Sequence, residues 1–546
     1  MVSLAVGSAA IGILSHVALY IRGEWHLRAP LLVKLYTILA LIGVSAGVYL
    51  GHGPSSSLRL NGIIAAGYSL GLFSSIVIYR KIFHRLRHFP GPWLAGATKF
   101  WHAWHCRTGR NHLMIEKLRA QYGPFIRTGP RELTIVVPSV PLAVDGPGNK
   151  CTKPDWYDLL SPDKAVNTTR SLADHARRRR VWDQGFSPKA LAVYEGRVAA
   201  YAEKLAASIE GFAARGRRSM CRIGFTGLPL TSWVGEFAFA RSFGMLVDEK
   251  WHFGPRTIRA AMRLLGTFSA VPWLLLSAFS TLPWLSLVRD WMALKRWCRD
   301  RMRERIEMKG VLPDVSHWLI DASVKNGSLE ADSEWLNGDA IAIIIAGSDT
   351  VAATLVFAFY ELAHDPSHQD KLLAELAGVN IHDRVSLQSC QHLNAVINET
   401  LRLRPAVPTG GYRETPPESM VIGGTYIPGD VVIVAPRYSI SRLEGAYVDS
   451  HRWVPERWTT RPEMVRDARG FAPFARGKFN CVGQNLALIE LRFVIALLVR
   501  KFCFGLPPGE SEETLFTDLR DQFTTAPGNL QLQFQPRDPS HGNKIT

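Results

Sequence analysis

Cys481 stands in the segment FARGKFNCVG, residues 474–483, where no second cysteine could partner it. The chain has seven cysteines, an odd number without any C-x-x-C pair. This pattern excludes a disulfide framework and gives no spacing for a zinc site, so an ordinary buried thiol is the default interpretation. An apolar helix is predicted to begin just after Cys481. Unpaired amides and the positive dipole end at a helix start stabilise an anion, which favours a thiolate here.

Gly477 and Gly483 lie on either side of this cysteine. Because glycine has no side chain, the backbone there can approach a large planar group closely. A metal held in a planar macrocycle needs one axial ligand from the protein, and a cysteine thiolate on haem iron meets that description. The segment therefore predicts a thiolate ligand for haem.

The same segment resembles the haem-binding loop of the cytochrome P450 family, F-x-x-G-x-[R/H]-x-C-x-G. It matches that pattern at Phe474, Gly477, Cys481 and Gly483. It departs at Phe479, where the family usually has arginine or histidine and some fungal members have an aromatic residue. The resemblance implies that Cys481 binds the iron of haem b.

Glu399 and Arg402, in INETLRLRP, lie three residues apart on one face of a predicted helix. An exposed ion pair is a common reason for this spacing, but this helix is apolar around the pair. Together with Arg457 in PERW, the two residues resemble the Glu-Arg-Arg triad of the family. The resemblance implies a structural role, in which a buried carboxylate bridges two guanidinium groups.

Polar residues interrupt the apolar segment 342–359 at GlySerAspThr. Such residues are costly in a buried helix, and here they resemble the oxygen-activation motif of the family, A-G-x-[D/E]-T. The resemblance implies that Asp349 and Thr350 form an acid–alcohol pair that relays protons through water, while Gly347 leaves room for oxygen. The alternative is that Thr350 bonds back to a helix carbonyl and Asp349 lies on a wet face.

The basic segment DHARRRRVWDQGFSP, which begins at Asp174, resembles the third lettered helix of the family. His175 takes the place of tryptophan in the pattern W-x-x-x-R, and Arg179 takes the place of arginine. The resemblance implies that both face the haem propionates. Four consecutive arginines cannot share one helix face, so we expect Arg178 and Arg180 to lie on the surface.

Arg413, in GGYRETPP, takes the place of another propionate-binding residue in some members of the family. Because Phe479 carries no charge, Arg179 would have to hold a propionate, with His175 and Arg413 as further candidates. We therefore expect Arg179→Ala to weaken haem retention far more than Phe479→Ala.

Three apolar stretches precede these motifs, near residues 4–21, 31–50 and 60–79. Each has the ~18 to 20 residues that a helix needs to cross a bilayer core. Basic residues are concentrated in the first loop and after the third stretch, which by the positive-inside rule face the cytosol. We expect a membrane anchor of three transmembrane helices over residues 1–88, with buried core helices as the alternative.

The remaining residues, 89–546, are predicted to form one catalytic domain, since no internal repeat or low-complexity linker divides them. FPGP at 89–92 predicts a stiff elbow at its start. Helical patterns dominate 160–410, and strand-like alternation appears near 125–137 and 420–435, so the fold is mainly α with a minor β-sheet. The resemblance implies the cytochrome P450 fold.

The net charge of +17 is not gathered into a tail, which favours membrane lipid or an acidic protein partner over nucleic acid. Segments 90–145 and 225–295 are rich in Trp, Phe and Leu and indicate an apolar ligand. The resemblance implies an endoplasmic reticulum membrane protein, multi-pass, with a cytosolic catalytic domain. An NADPH-cytochrome reductase flavoprotein would supply its electrons.

The resemblance is strongest to fungal microsomal members of secondary-metabolite pathways, of the tryprostatin hydroxylase type. It implies a haem-thiolate monooxygenase that inserts one oxygen atom from O2 into an apolar small molecule. Two alternatives stay open. One is a haem-thiolate isomerase or dehydratase that uses no external O2, against which Asp349 and Thr350 argue. The other is a haem-binding protein without enzymatic activity.

Overall fold

The computed structural model describes residues 1–215, 221–224, 253–308, 313–508 and 513–537. In these residues the chain forms an N-terminal group of three long helices, followed by a larger, mainly helical unit with small sheets. The expectation of a mainly α fold with minor β structure is confirmed. Residues 225–252, part of the segment expected to contact substrate, lie outside the described residues.

Three apolar helices cover the stretches predicted to cross a membrane. Helix α1 spans Val2–Ser15 and continues as a π-turn over His16–Tyr20. Helix α2 spans Ala29–Tyr49, and helix α3 spans Pro54–Ile78 with a π-turn over Tyr79–Phe83. All three are long and apolar enough to cross a bilayer, and little of their surface is buried. They therefore could serve as a membrane anchor.

Small residues allow α1 and α3 to pack closely. A Cβ atom added to Gly71 of α3 would overlap the backbone of Ala9, and one added to Gly12 of α1 would overlap the backbone of Tyr68. Backbone contact through glycine is typical of helices that associate in a membrane. Ala5 lies beside Gly67, Ala9 beside Gly71 and His16 beside Ser75, so residue numbers increase together along the contact and α1 and α3 run in the same direction.

Helix α2 packs against α3 in the opposite direction. Gly43 lies opposite Asn61, and Gly47, further along α2, lies opposite Ser57. The connection from α1 to α2, residues 21–28, is therefore at the same end of the bundle as Phe83. The larger unit continues from that end.

The larger unit contains short helices near its start and long helices in its centre. In chain order the described helices are α4 (Trp93–Ala97), α5 (Phe100–Cys106), α6 (Asn111–Tyr122), α7 (Val140–Asp145), α8 (Leu172–Gly185), α9 (Pro188–Arg215), α10 (Phe253–Phe268), α11 (Pro272–Thr281), α12 (Ser286–Glu307), α13 (Val315–Lys325), α14 (Ser333–His364), α15 (Ser367–Leu376), α16 (Arg384–Ser389), α17 (Gln391–Leu403), α18 (Arg437–Ile440), α19 (Gln484–Lys501) and α20 (Glu513–Thr517).

Short strands form small sheets beside these helices. In chain order they are β1 (Phe125–Gly129), β2 (Glu132–Ile135), β3 (Cys221–Gly224), β4 (Tyr412–Glu414), β5 (Met420–Ile422), β6 (Thr425–Ile427), β7 (Val432–Val434), β8 (Phe502–Gly505), β9 (Arg520–Gln522), β10 (Thr524–Ala526) and β11 (Gln531–Pro536). Turns of 3₁₀ helix occur at Asp155–Leu160, Pro455–Trp458, Pro462–Met464, Ala468–Gly470 and Gly477–Phe479.

The largest sheet has four strands in the order β1-β2-β7-β4. Strands β2 and β7 are parallel, with Leu133 beside Ile433, and both side chains are fully buried. Strand β4 pairs with β7 in the antiparallel direction and places Arg413 opposite Ile433. A second sheet has the order β3-β11-β8, and β5-β6 and β9-β10 are two-stranded. The main sheet thus fixes the backbone position of Arg413 from its edge strand.

Helices α14 and α19 cross the core of the larger unit. Helix α14 is as apolar as the three N-terminal helices, but most of it is buried. Helix α19 is buried along most of its length, from Ile489 to Val499. A helix that is apolar on all faces is stable only when other elements cover it, which is why both lie in the centre. One carries the GlySerAspThr segment and the other begins beside Cys481.

Candidate functional site

Cys481 lies in a short loop between a 3₁₀ turn and α19. Its backbone N–H donates to the carbonyl oxygen of Phe474 at 2.8 Å, and α19 begins three residues later at Gln484. The six cysteines whose side chains the structure describes are all free; among them Cys481 is exposed and the other five are buried. The helix therefore starts just after the cysteine, as predicted.

The charge state of Cys481 is set by opposing effects. Burial raises the pKa of this thiol, although part of the surface of the residue is exposed. The Gly483 amide and the guanidinium groups of Arg179 and Arg437 oppose that rise. The net shift of the Cys481 pKa is upward because burial is the largest effect, while the Gly483 amide at the helix start acts in the predicted direction. A bound metal cation would deprotonate the thiol outright, because coordination outweighs the cost of burial.

Gly477 stands at a point of the loop where there is no room for a side chain. Its φ of +59° lies in the left-handed region, and an added Cβ would overlap the carbonyl oxygen of Asp145. Gly483 is different, because an added Cβ would make only ordinary contacts, 3.6 Å from the Phe186 ring and 4.0 Å from the Cys481 sulfur. The protein itself therefore requires glycine at position 477 but not at 483.

The Phe479 ring lies at the centre of a group of basic side chains. The Nζ atom of Lys153 is 4.8 Å from the ring centroid, and the Cζ atom of Arg413 is 4.7 Å from it. The Nζ atom of Lys478 is at 5.2 Å, and the ring of His175 meets Phe479 edge-on at 4.9 Å. Such distances allow cation–π attraction. We call Lys153, His175, Arg413 and Lys478 the Phe479 cation cluster.

Lys153 is the most deeply buried lysine of this cluster, with 3% of its surface exposed. Its ammonium donates to the carbonyl oxygens of Val166 and Thr169, each at 3.1 Å. Burial, and then the nearby charge of Arg413, lower its pKa to about 7. Among the described residues no carboxylate lies within ion-pair distance of Lys153. Two carbonyl groups stabilise an ammonium only in part, so this position favours an anion.

Arg413 is also buried, but its charge is balanced. It forms an ion pair with Asp145, and its Nη1 group donates to the hydroxyl of Tyr157 at 3.0 Å. His175 is neutral near pH 7, since burial and the positive charge of Lys153 and Arg179 lower its pKa to about 4. His175 can therefore donate a hydrogen bond to an anion without adding charge.

Arg179 braces the cysteine loop. Helix α8 starts after Ser171, whose hydroxyl accepts the Asp174 N–H at 3.2 Å as an N-cap. Two turns into the helix, Arg179 donates from Nη1 to the carbonyl oxygen of Asn480 at 2.8 Å and pairs through Nε with Asp183 at 2.7 Å. Arg179 thus holds Asn480, the residue directly before Cys481, in place.

The expectation that Arg178 lies on the surface is wrong. Arg178 is buried, and its Nε donates to the Asp339 carboxylate of α14 at 2.6 Å. The face of α8 that carries Arg178 packs towards α14, where Asp339 is fully buried and needs a cation. Arg180 is exposed, as expected.

The structure brings Glu399, Arg402 and Arg457 together. Glu399 is fully buried, and its Oε1 atom accepts from Arg402 Nη2 at 2.7 Å and from Arg457 Nε at 2.9 Å. Its Oε2 atom accepts from Arg402 Nε and from the indole of Trp458, both at 2.9 Å. Arg402 also donates to the carbonyl oxygens of Ser441, Ser450 and Arg452. The single carboxylate is thus shared by two guanidinium groups, and main-chain carbonyl oxygens accept from their remaining donors.

The structure does not join Asp349 and Thr350 by a hydrogen bond. The Thr350 hydroxyl donates to the carbonyl oxygen of Ala346 in the preceding turn at 2.7 Å. The Asp349 carboxylate instead accepts from the Thr524 hydroxyl of β10 at 3.2 Å. Burial raises the pKa of Asp349 to about 6, opposed by the Thr524 hydrogen bond and by Arg259. Asp349 can therefore gain or lose a proton near neutral pH.

Sequence reasoning missed Lys153, Thr524 and Arg437. Lys153 stands in a segment without helical or strand periodicity, so only the fold shows that it reaches Phe479. Arg437 of α18 donates from Nε to the carbonyl oxygen of Ala472 at 2.9 Å and acts electrostatically on Cys481. No local signal distinguishes these residues from ordinary surface residues.

A model of the family described as Cytochrome P450 matches residues 90–534. The chain belongs to the cytochrome P450 family. Cytochrome P450 monooxygenase orf5 of Eupenicillium brefeldianum is 36% identical over 497 residues, which is 89% of this chain and 98% of the relative. Tryprostatin B 6-hydroxylase of Aspergillus fumigatus is 34% identical over 522 residues, covering 92% of this chain and 90% of the relative.

The crystal structure of the cytochrome P450DA heme domain matches this cytochrome P450 with a TM-score of 0.65 at 17% identity. The match covers 79% of this chain and 94% of that chain and shows a shared fold. The expected family and fold are therefore confirmed. The curated relatives are P450 monooxygenases, so this cytochrome P450 is an oxidoreductase of that type, and the family implies haem with a thiolate ligand to iron.

The residues present fit such a group. An accessible soft sulfur ligand stands in a loop whose shape Gly477 fixes. The Phe479 cation cluster has one carboxylate, Asp145, for the charges of Lys153, Arg413 and Lys478, so it suits the two carboxylates of haem b.

Proposed function

We propose that this cytochrome P450 is a membrane-anchored monooxygenase that inserts one oxygen atom from O2 into an apolar small molecule. The observation that carries the proposal is the position of the exposed Cys481, in a loop that lies beside the Phe479 cation cluster. The electrons come from NADPH through a reductase flavoprotein.

Cys481 is the proposed iron ligand. Lys153 and Arg413 are the proposed charged contacts of the propionates, and His175 adds a neutral donor. Arg179 contributes by holding the Asn480 carbonyl and thus the loop. When bound, the haem supplies the site where O2 is reduced and the substrate is oxidised.

Asp349 and Thr350 are the proposed proton-handling residues. The carboxyl of Asp349, with its pKa raised to about 6, can hold a proton near neutral pH and release it. The Thr350 hydroxyl keeps its lone pairs free while it donates to Ala346, so it can accept a hydrogen bond from water. We propose that a proton passes from Asp349 through water to the region beside Thr350. Thr524 orients the carboxylate at rest.

The basic surface near Cys481 supports a reductase as partner. Arg177 and Arg180 are exposed on α8, and Lys478 is exposed in the cysteine loop. An acidic flavoprotein surface would be steered to these charges. The three apolar N-terminal helices support a multi-pass location in the endoplasmic reticulum membrane, with the catalytic unit in the cytosol.

The relatives suggest where the activity belongs. One of them is named as a hydroxylase of tryprostatin B. We propose that this chain likewise oxidises an apolar intermediate of a fungal secondary-metabolite pathway.

The test uses the full-length chain in microsomes with a reductase. The reduced carbon monoxide complex should show the red-shifted absorbance of a thiolate-bound haem, and Cys481→Ala should abolish it. Cys390→Ala, at a buried cysteine between α16 and α17, is the matched control and should leave the band unchanged. A red-shifted band in Cys481→Ala would refute the assignment. Products should then gain one oxygen atom by mass spectrometry only when NADPH is present.

A further inference from the structure

The connection between α1 and α2, residues 21–28, lies against the catalytic unit. The guanidinium of Arg170 donates to both carboxylate oxygens of Glu24, at 2.6 and 2.8 Å. The His26 Nε2 atom is 2.8 Å from the Asp158 carboxylate, and the His26 side chain is only 6% exposed. A two-point arginine–carboxylate contact fixes geometry as well as attracting charge.

Further contacts tie this connection to separate parts of the catalytic unit. Arg131, in the turn between β1 and β2, is 3.5 Å from Glu24 and 3.2 Å from Glu414 of β4. Arg170 also pairs with Asp158 at 2.8 Å. The hydrogen bond from Arg170 is the main reason that the pKa of Glu24 is lowered. A network of this kind is worth more than isolated surface pairs, because each group is held by several partners.

The network lies directly behind the Phe479 cation cluster. The Nε group of Arg170 donates to the carbonyl oxygen of Lys153 at 2.9 Å. Asp158 stands next to Tyr157, whose hydroxyl accepts from Arg413. The same 3₁₀ turn, Asp155–Leu160, therefore contacts the N-terminal connection on one side and a cluster residue on the other.

We propose that residues 21–28 are a docking element that holds the catalytic unit to the N-terminal helix bundle in one orientation and stabilises the segment from Lys153 to Asp158. Glu24 and His26 are the residues of the connection that bind the catalytic unit. The contact goes beyond the monooxygenase function and would stand without it. Since α1 and α3 run in the same direction, the docking also places the first connection on the same side of the bilayer as the catalytic unit.

A crosslinking experiment tests the contact in the full-length chain in microsomes. Long side chains separate the two backbones by more than a disulfide can span, so a short bis-maleimide is used on the double variant Glu24→Cys with Arg170→Cys. The matched control is His52→Cys with Arg170→Cys, because His52 is exposed in the turn between α2 and α3 at the other end of the bundle. The three single variants, each with one added cysteine, give the background yield of crosslinks to native cysteines.

We expect an intramolecular crosslink that joins residues 24 and 170 in tryptic peptides, at a yield at least about tenfold above the His52 pair. Equal yields in the two double variants would overturn the proposal, because the connection would then not lie at the catalytic unit.

Hydrogen exchange of the same full-length protein tests the stabilising role. Glu24→Gln with His26→Ala should raise the exchange of residues 153–160 by about tenfold, since charge-assisted hydrogen bonds are lost. The control is Glu116→Gln, which breaks a half-buried Glu116–Arg119 pair of α6 away from the N-terminal helices. Exchange at 153–160 that stays at the wild-type rate in the double variant would refute the stabilising role.

Discussion

Lys153→Met removes the buried lysine of the Phe479 cation cluster, whose ammonium contacts two carbonyl oxygens and forms no ion pair within the described part of the chain. In the absence of an anion, burial lowers the Lys153 pKa from 10.5 to about 7. That difference corresponds to a cost on the order of 5 kcal/mol for keeping the ammonium charged inside the fold. A carboxylate placed within hydrogen-bond reach offsets this cost, and a hydrogen bond between charged groups contributes ~1.5 to 3 kcal/mol. Lys153 is therefore expected to bind a haem propionate and to become fully protonated when it does.

The pH dependence follows from the sign of this shift. Below pH about 7, Lys153 is charged in both the folded and the unfolded protein, so it contributes no pH dependence. Between about 7 and 10.5 the unfolded chain binds more protons at this residue, so the free energy of unfolding of the haem-free protein rises with pH. Haem binding draws a proton back onto Lys153. Haem affinity should therefore decrease as pH rises above about 7.

The assay is the rate of haem transfer from the purified holoprotein to apomyoglobin, followed by visible absorbance at several pH values. Lys153→Met should transfer haem about ten- to a hundredfold faster at pH 7, from the ~1.5 to 3 kcal/mol above. Lys153→Arg should keep slow transfer and lose the pH dependence, because arginine stays charged. Lys150→Met, at an exposed lysine of the same segment, is the control. Wild-type transfer rates in Lys153→Met would refute the assignment.

Three further changes have expected outcomes. Arg179→Ala should speed haem transfer far more than Phe479→Ala, because Arg179 holds the cysteine loop through Asn480; equal transfer would contradict this. Thr524→Val should raise the pKa of Asp349, because the Thr524 hydrogen bond that lowers this pKa is lost, and should move the alkaline limb of the pH profile for coupled NADPH use to higher pH. Glu399→Gln should lower the free energy of unfolding by about 3 to 5 kcal/mol in a denaturant titration, since it removes the charge partner of two buried arginines.

Each of the last two changes has a matched control. Thr525→Val alters the neighbouring hydroxyl, which donates to the Pro405 carbonyl and not to Asp349, so it should leave the pH profile in place. An identical shift in both variants would show that the hairpin, and not the Thr524 hydroxyl, sets the Asp349 pKa. Glu456→Gln breaks a pair with the exposed Lys371 and should cost ~1 kcal/mol or less. A similar loss in Glu399→Gln would contradict a buried ionic cluster.

Local patterns predicted much of this molecule. The loop of Cys481 is continuous in sequence, and Glu399 and Arg402 share a helix face, so neither required knowledge of distant contacts. The three apolar stretches also appear as helices, with the third beginning at Pro54 rather than near residue 60. Spacing along one element is set by helix geometry, which the sequence carries directly.

Contacts between distant segments were not predictable in the same way. Arg178 and Arg179 are adjacent, and which of them is buried depends on Asp339, 161 residues away in α14. Asp349 was expected to act with its neighbour Thr350, but its hydrogen-bond partner is Thr524 in a strand 175 residues later. A polar side chain within a helix has several partners in reach, and the packing of other elements decides between them.

The aromatic residue at position 479 is explained by the charges around it. An arginine there would lie within about 5 Å of both Lys153 and Arg413, and like charges in a buried site repel strongly. The Lys153 ammonium is already costly, so a second unpaired cation would be costlier still. A phenylalanine instead attracts both cations through its ring and adds no charge to the site. The ring and Lys153 therefore form one unit, in which a buried cation from a segment more than 300 residues earlier in the chain lies against the cysteine loop.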